Sequence, residues 1–154
     1  MYKDKELAMT ETTLVDYDAD FTRSLTIKAA PASLRAAVTT EEGVSGWWAP
    51  TVSPGPELLS ISFGDVGAEV HVVATPELVV WEVVGCSAEP DWVGTTIEFA
   101  PKTDASGSIE LDFIHRGLGG LPCAETCFAG WTHFLPSLVS FVESGVGNPA
   151  SPQS

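Results

Sequence analysis

Basic charge is what this chain has least of: seven Lys and Arg stand against twenty-one Asp and Glu, a net charge of −14 over 154 residues. Such a surface repels phosphate backbones and anionic lipid headgroups, which argues against nucleic-acid and membrane partners and favours solubility. Cysteine is also scarce. Cys86, Cys123 and Cys127 are an odd number, so they cannot all pair within one chain, and no apolar N-terminal stretch resembles a secretory signal or a membrane span. These absences predict free thiols and a cytoplasmic protein. Internal repeats and low-complexity runs are missing as well, and the length suits one domain with a single core.

What is present begins at the C-terminal end. In "GWTHFLPSLVSFVESGVGNP" and the residues before it, Cys127, Phe128, Trp131, Phe134, Leu135, Leu138, Val139, Phe141 and Val142 fall within an arc of about 160° at helical spacing. Thr132, His133, Pro136, Ser137, Ser140, Glu143 and Ser144 take the other side. Pro136 then frees its backbone carbonyl toward water, and the helix need only bend. The spacing predicts a long amphipathic helix over residues 122–144.

Upstream, "FTRSLTI" alternates as a half-buried strand, with Arg23 in its dry register and Glu82 a candidate mate for that charge. "PASLRAAVTT" opens with a proline suited to a first helical turn, and "EEGVSGWWAP" reads as a short second helix or turn. Strands follow at about residues 58–63, 68–75, 78–86, 92–100 and 108–115, with Gly, Asp, Ser and Pro in the connections. Short connections imply an antiparallel meander with one dry face. The expected fold is α+β: a curved antiparallel sheet of about six strands, two short helices after the first strand, and the long C-terminal helix across the dry face. Residues 1–15 read as a flexible tail, of which 1–8 ahead of Met9 suit an expression-derived leader. Residues 16–145 form the domain and 146–154 a second flexible tail.

The order of elements and four phrases together resemble the START-like (SRPBCC) superfamily, in its branch related to the activator of heat-shock protein 90 ATPase. The phrases are "KAAPASLRAAVTTEEGVSGWWAP", "LVVWEVVG" with "WVGTTIEF", "LDFIHRGL", and the closing helix. The resemblance covers nearly the whole chain after Phe21. It implies a helix-grip fold enclosing a cavity between sheet and terminal helix, a cavity commonly used for apolar ligands. It does not imply one chemistry, because members of this superfamily carry lipids, bind hormones, cyclise polyketides or regulate chaperones.

On that basis the expected activity is binding of a small hydrophobic or amphipathic molecule, lined by Trp47, Trp48, Phe63, Val70, Trp81, Phe99, Phe113, His115, Cys127, Trp131 and Leu135. Two alternatives stand beside it: an enzyme of the polyketide cyclase or hydrolase type, with His115 as the candidate acid or base, and a chaperone-associated interaction module. His115 continues the inward register of Ile109, Leu111 and Phe113, at the expected mouth of the cavity. Cys123, Cys127 and His115 fall short of a four-ligand metal set, since His133 lies on the polar side of its helix and His71 on the wet side of its strand. No metal and no cofactor is therefore expected. The predicted partner is a small apolar ligand, and a homodimer is allowed if the Trp47–Trp48 loop is exposed.

Overall fold

The computed structural model describes residues 15–150; the expected N-terminal tail before Val15 and the last four residues of the C-terminal tail lie outside the described residues. The chain opens with β1 (Phe21–Ile27), α1 (Pro31–Thr39) and α2 (Glu41–Trp47), then runs through β2 (Thr51–Gly55), β3 (Leu58–Ser62), β4 (Gly67–Ala74) and β5 (Val79–Cys86). A 3-10 turn (Pro90–Trp92) precedes β6 (Thr96–Thr103), β7 (Ile109–Arg116) and the closing helix α3 (Ala124–Ser144). All seven strands join one antiparallel sheet in the order β1-β7-β6-β5-β4-β3-β2.

Two departures from the expected layout have simple causes. Strand β2 carries Pro54 and Gly55, which read as a loop; it is an edge strand with a bulge, the one setting where a strand tolerates proline. The stretch expected as a strand from residue 92 instead makes the 3-10 turn, because Pro90 suits a first helical position, and β6 starts four residues later. Val93 is exposed in consequence, although strand alternation would place it inside.

The dry face carries Leu59, Ile61, Val70, Val72, Ile97, Phe99, Ile109, Leu111 and Phe113, all buried, and α3 packs its Cys127, Phe128, Trp131, Leu135 and Leu138 with them into one core. The wet face is tied by polar pairs between neighbouring strands: Ser24 donates to Asp112, Thr26 to Glu110, and Arg116 to Glu98. Arg23 does not enter the core. Its guanidinium lies 4.3 Å from the centre of the Phe21 ring and donates to Thr132 Oγ1 on α3, while Glu82, its candidate mate, is bonded to His71. Pro136 in α3 is exposed, as the arc requires. Ser137, assigned to the polar side with it, is buried: its hydroxyl donates to the Trp47 carbonyl and accepts from Asn148 N–H. Ala150 N–H donates to the Trp48 carbonyl at 2.7 Å, so residues 146–150 return along α2.

The α1–α2 corner positions both tryptophans at its end. Thr40 caps α2 by accepting the Gly43 N–H at 2.9 Å, and Gly43 rests directly on the first helix. A Cβ there would lie 2.1 Å from the Ala36 carbonyl oxygen and 2.6 Å from Ala37 Cα, both backbone atoms that cannot rotate away. Gly43→Ala is expected to lower unfolding free energy by about 1–3 kcal/mol, read as a lower denaturant midpoint at unchanged slope.

Candidate functional site

Five tryptophans occupy the space between sheet and helix. Trp47 and Trp48 come from the end of α2, Trp81 from β5, Trp92 from the 3-10 turn and Trp131 from the middle of α3. Their rings form one cluster with near-parallel planes: Trp48 lies 5.9 Å from Trp47, 5.5 Å from Trp81 and 6.5 Å from Trp92, Trp47 lies 6.2 Å from Trp81, and Trp92 lies 6.2 Å from Trp131. Buried indoles need acceptors for their N–H groups. Trp47 donates to the Ala37 carbonyl, Trp81 to the Val38 carbonyl, Trp92 to Cys127 Sγ, and Trp131 to His115 Nδ1.

The last of these bonds sets the state of His115. Nδ1 accepts from Trp131 at 3.0 Å, so the ring proton sits on Nε2 and is donated to Thr95 Oγ1 at 2.8 Å; Thr95 in turn donates to the Trp92 carbonyl at 2.7 Å. Burial pushes the imidazole down from 6.5 to about 4, against a smaller opposing pull from Asp20. His115 is therefore a neutral, fully enclosed link between β7 and α3, with both nitrogens engaged. Because the folded state resists protonation, its contribution is complete above pH 6.5 and is lost as pH falls through the window down to about 4. Stability is expected to drop by up to about 3 kcal/mol across that window, and His115→Gln, which can keep one acceptor and one donor, should flatten this part of the pH profile in denaturant titrations.

Beside this link lies a cavity of about 190 Å³, under α3 and open on one side. Trp48, Phe63, Trp92, Trp131 and Phe134 make its aromatic walls; Cys86, Glu89, Thr126 and Cys127 supply its polar atoms, and Gly130 a gap in the α3 wall. Of the residues expected to line a cavity, Trp48, Phe63, Cys127 and Trp131 meet here. Trp47, Val70, Trp81, Phe113, His115 and Leu135 lie in the packed core, and Phe99 borders a separate groove of about 360 Å³ between α1 and the β5–β6 strands. That groove carries one cation, Arg35, whose guanidinium is already bonded to the Thr75 carbonyl at 2.7 Å. Trp47 and Trp48 are buried to 0% and 3% exposure, so the loop offers no exposed indole to a second copy. Cys86, Ala88, Glu89, Trp92, Thr126, Gly130 and Phe134 were absent from the expected lining; "AEPDW" held part of the signal, a proline-led turn that aims Trp92 and Glu89 at the helix.

No protein-family model matches the chain, and no curated protein does. Solved structures do. The chain is similar to the Aha1 dimer from Colwellia psychrerythraea, with 25% identity and a TM-score of 0.71 over 84% of this chain and 99% of that one. It is also similar to CalU16 from Micromonospora echinospora, with 14% identity and a TM-score of 0.62 over 80% of this chain and 73% of that one. DynU16, a protein of the dynemicin biosynthetic locus, matches 89% of this chain with 51% of its own, at 19% identity and a TM-score of 0.60. All three likenesses show the same helix-grip fold, and the likeness to the Aha1 dimer bears out the resemblance to the START-like (SRPBCC) superfamily carried by the sequence phrases.

Proposed function

We propose that this START-like chain binds a small, flat, apolar molecule in the cavity under α3. The observation that carries the reading is the cavity's wall: five aromatic rings face about 190 Å³ of space, with few polar atoms among them. A cavity of about 150 Å³ takes up benzene in a protein core. The space therefore suits a one- or two-ring compound, and a long acyl chain exceeds it. The aromatic faces supply offset stacking, and Glu89, Thr126 and the thiols give a polar substituent somewhere to point. Cytoplasmic location is part of the proposal and rests on the free thiols; among the described residues no helix is long and apolar enough to cross a membrane. The cyclase or hydrolase alternative gains nothing from His115, which is buried behind the lining of this cavity and has both nitrogens engaged.

Gly130 tests the site without disturbing the core. It lies within α3, borders the cavity, and a Cβ added there meets no heavy atom within 4 Å. Gly130→Ala should raise stability by about 0.5–1 kcal/mol, since glycine is costly inside a helix. Naphthalene should quench the indole fluorescence of the parent protein saturably, and Gly130→Leu should fill the cavity and abolish that quenching. Saturable quenching that survives Gly130→Leu would overturn the reading.

The similarity to the Colwellia protein, described as a dimer, favours a second reading: an interaction module of the chaperone-associated kind, working as a homodimer. It predicts a dimer in sedimentation at micromolar concentration and stimulation of a purified heat-shock protein 90 ATPase. A monomer without effect on that ATPase would remove it.

A further inference from the structure

Cys86 and Cys127, far apart in sequence, border the same cavity, and Cys123 lies one helical turn from Cys127. Cys123 is the residue that caps α3 and Cys127 lies one turn on; Cys86 ends β5, and Glu89 precedes the 3-10 turn. The sulfurs of Cys123 and Cys127 and a carboxylate oxygen of Glu89 all lie within 4.8 Å of one another. In a tetrahedral thiolate centre each ligand atom stands about 2.3 Å from the ion, and hence about 3.8 Å from its neighbours. Small side-chain rotations close that difference. Cys86 borders the same cavity as Glu89 and Cys127, and its sulfur accepts the Glu89 N–H at 3.2 Å.

We propose that Cys123, Cys127 and Glu89 bind one thiophilic divalent cation of the zinc type, with the Cys86 thiol beside them. Four features of the surroundings favour it. Cys127 Sγ already accepts an N–H from Trp92 at 3.2 Å, and Cys86 Sγ accepts one from Glu89; N–H groups aimed at sulfur stabilise thiolate ligands. No Lys or Arg borders the cavity to compete for the carboxylate. Cys86, Glu89 and Cys123 are half-buried, which leaves an ion a path from solvent, while Cys127 anchors the inner side. A net charge of −14 draws cations toward the whole surface.

Burial holds the Cys86 and Cys127 thiols above their ordinary range, so the metal-free thiols are protonated at neutral pH. Each coordinating thiol passes its proton to water as the metal–sulfur bond forms, and no electron changes hands. The site is separate from the apolar ligand reading and stands or falls without it.

Cobalt is the direct probe. The reduced, metal-stripped protein titrated with Co²⁺ should develop a thiolate-to-metal charge-transfer band together with the visible absorption of tetrahedral cobalt. Both should saturate at one ion per chain and be bleached by Zn²⁺. Cys123→Ser and Glu89→Gln alter half-buried positions and should each weaken binding by at least about tenfold, with indole fluorescence unchanged as the check on folding. Absence of a thiolate band in the parent protein, or an unchanged titration in both variants, overturns the site. So does a loss of two mass units under non-reducing conditions with no bound metal, which would mark a Cys123–Cys127 disulfide instead.

Discussion

Much of the arrangement between the sheet and the closing helix follows from one requirement, met by Trp47, Trp81, Trp92 and Trp131: an indole N–H taken out of water must keep an acceptor. Trp47 and Trp81 meet it with the carbonyls of Ala37 and Val38, where α1 ends, which fixes α1 against α2 and β5. Trp131 meets it with His115, which fixes α3 against β7, and Trp92 with Cys127, which draws the 3-10 turn onto the same helix. These bonds are more directional than the stacking between rings, so they choose one arrangement of the cluster among many of similar buried area.

The same requirement accounts for the modest size of the cavity. Apolar volume between sheet and helix is consumed by the indole cluster and by Phe21, Phe99 and Phe113, which pack edge-on on one another with Phe99 edge-on against Trp81. The recess opens where the helix wall thins at Gly130 and the β5 strand gives way to the 3-10 turn. A fold able to enclose a large ligand chamber is here filled mostly by its own side chains. Its remaining recess is shaped by ring faces on one side and by sulfur and carboxylate on the other.

His115 shows how burial converts a chemically versatile residue into a structural one. An imidazole at a solvent-filled mouth would titrate near neutrality; this one gives up that capacity to hold Trp131 and Thr95 at once. The polar atoms left facing open space are those of Glu89, Thr126, Cys86 and Cys127, and it is there that ligand or metal chemistry has room to occur.

Periodicity alone determined much of this protein. The arc on α3, the alternation through β3, β4 and β7, and the proline at the start of α1 each encode a local conformation and a dry face, and stacking those faces leaves little choice of architecture. The edge strand β2 and the turn at Pro90 were hidden because proline and glycine weigh against regular structure unless an edge or a first turn accommodates them, and the neighbours decide that. The register of His115 was legible, yet its enclosure was not, since strand alternation gives a direction and says nothing about depth. The meeting of Glu89 with Cys123 and Cys127 belongs to tertiary structure alone: residues some thirty-five positions apart become neighbours when the turn after β5 lies beside the first turn of α3. Local pattern sets which side of an element is dry; only packing sets which dry sides, and which reactive atoms, share one space.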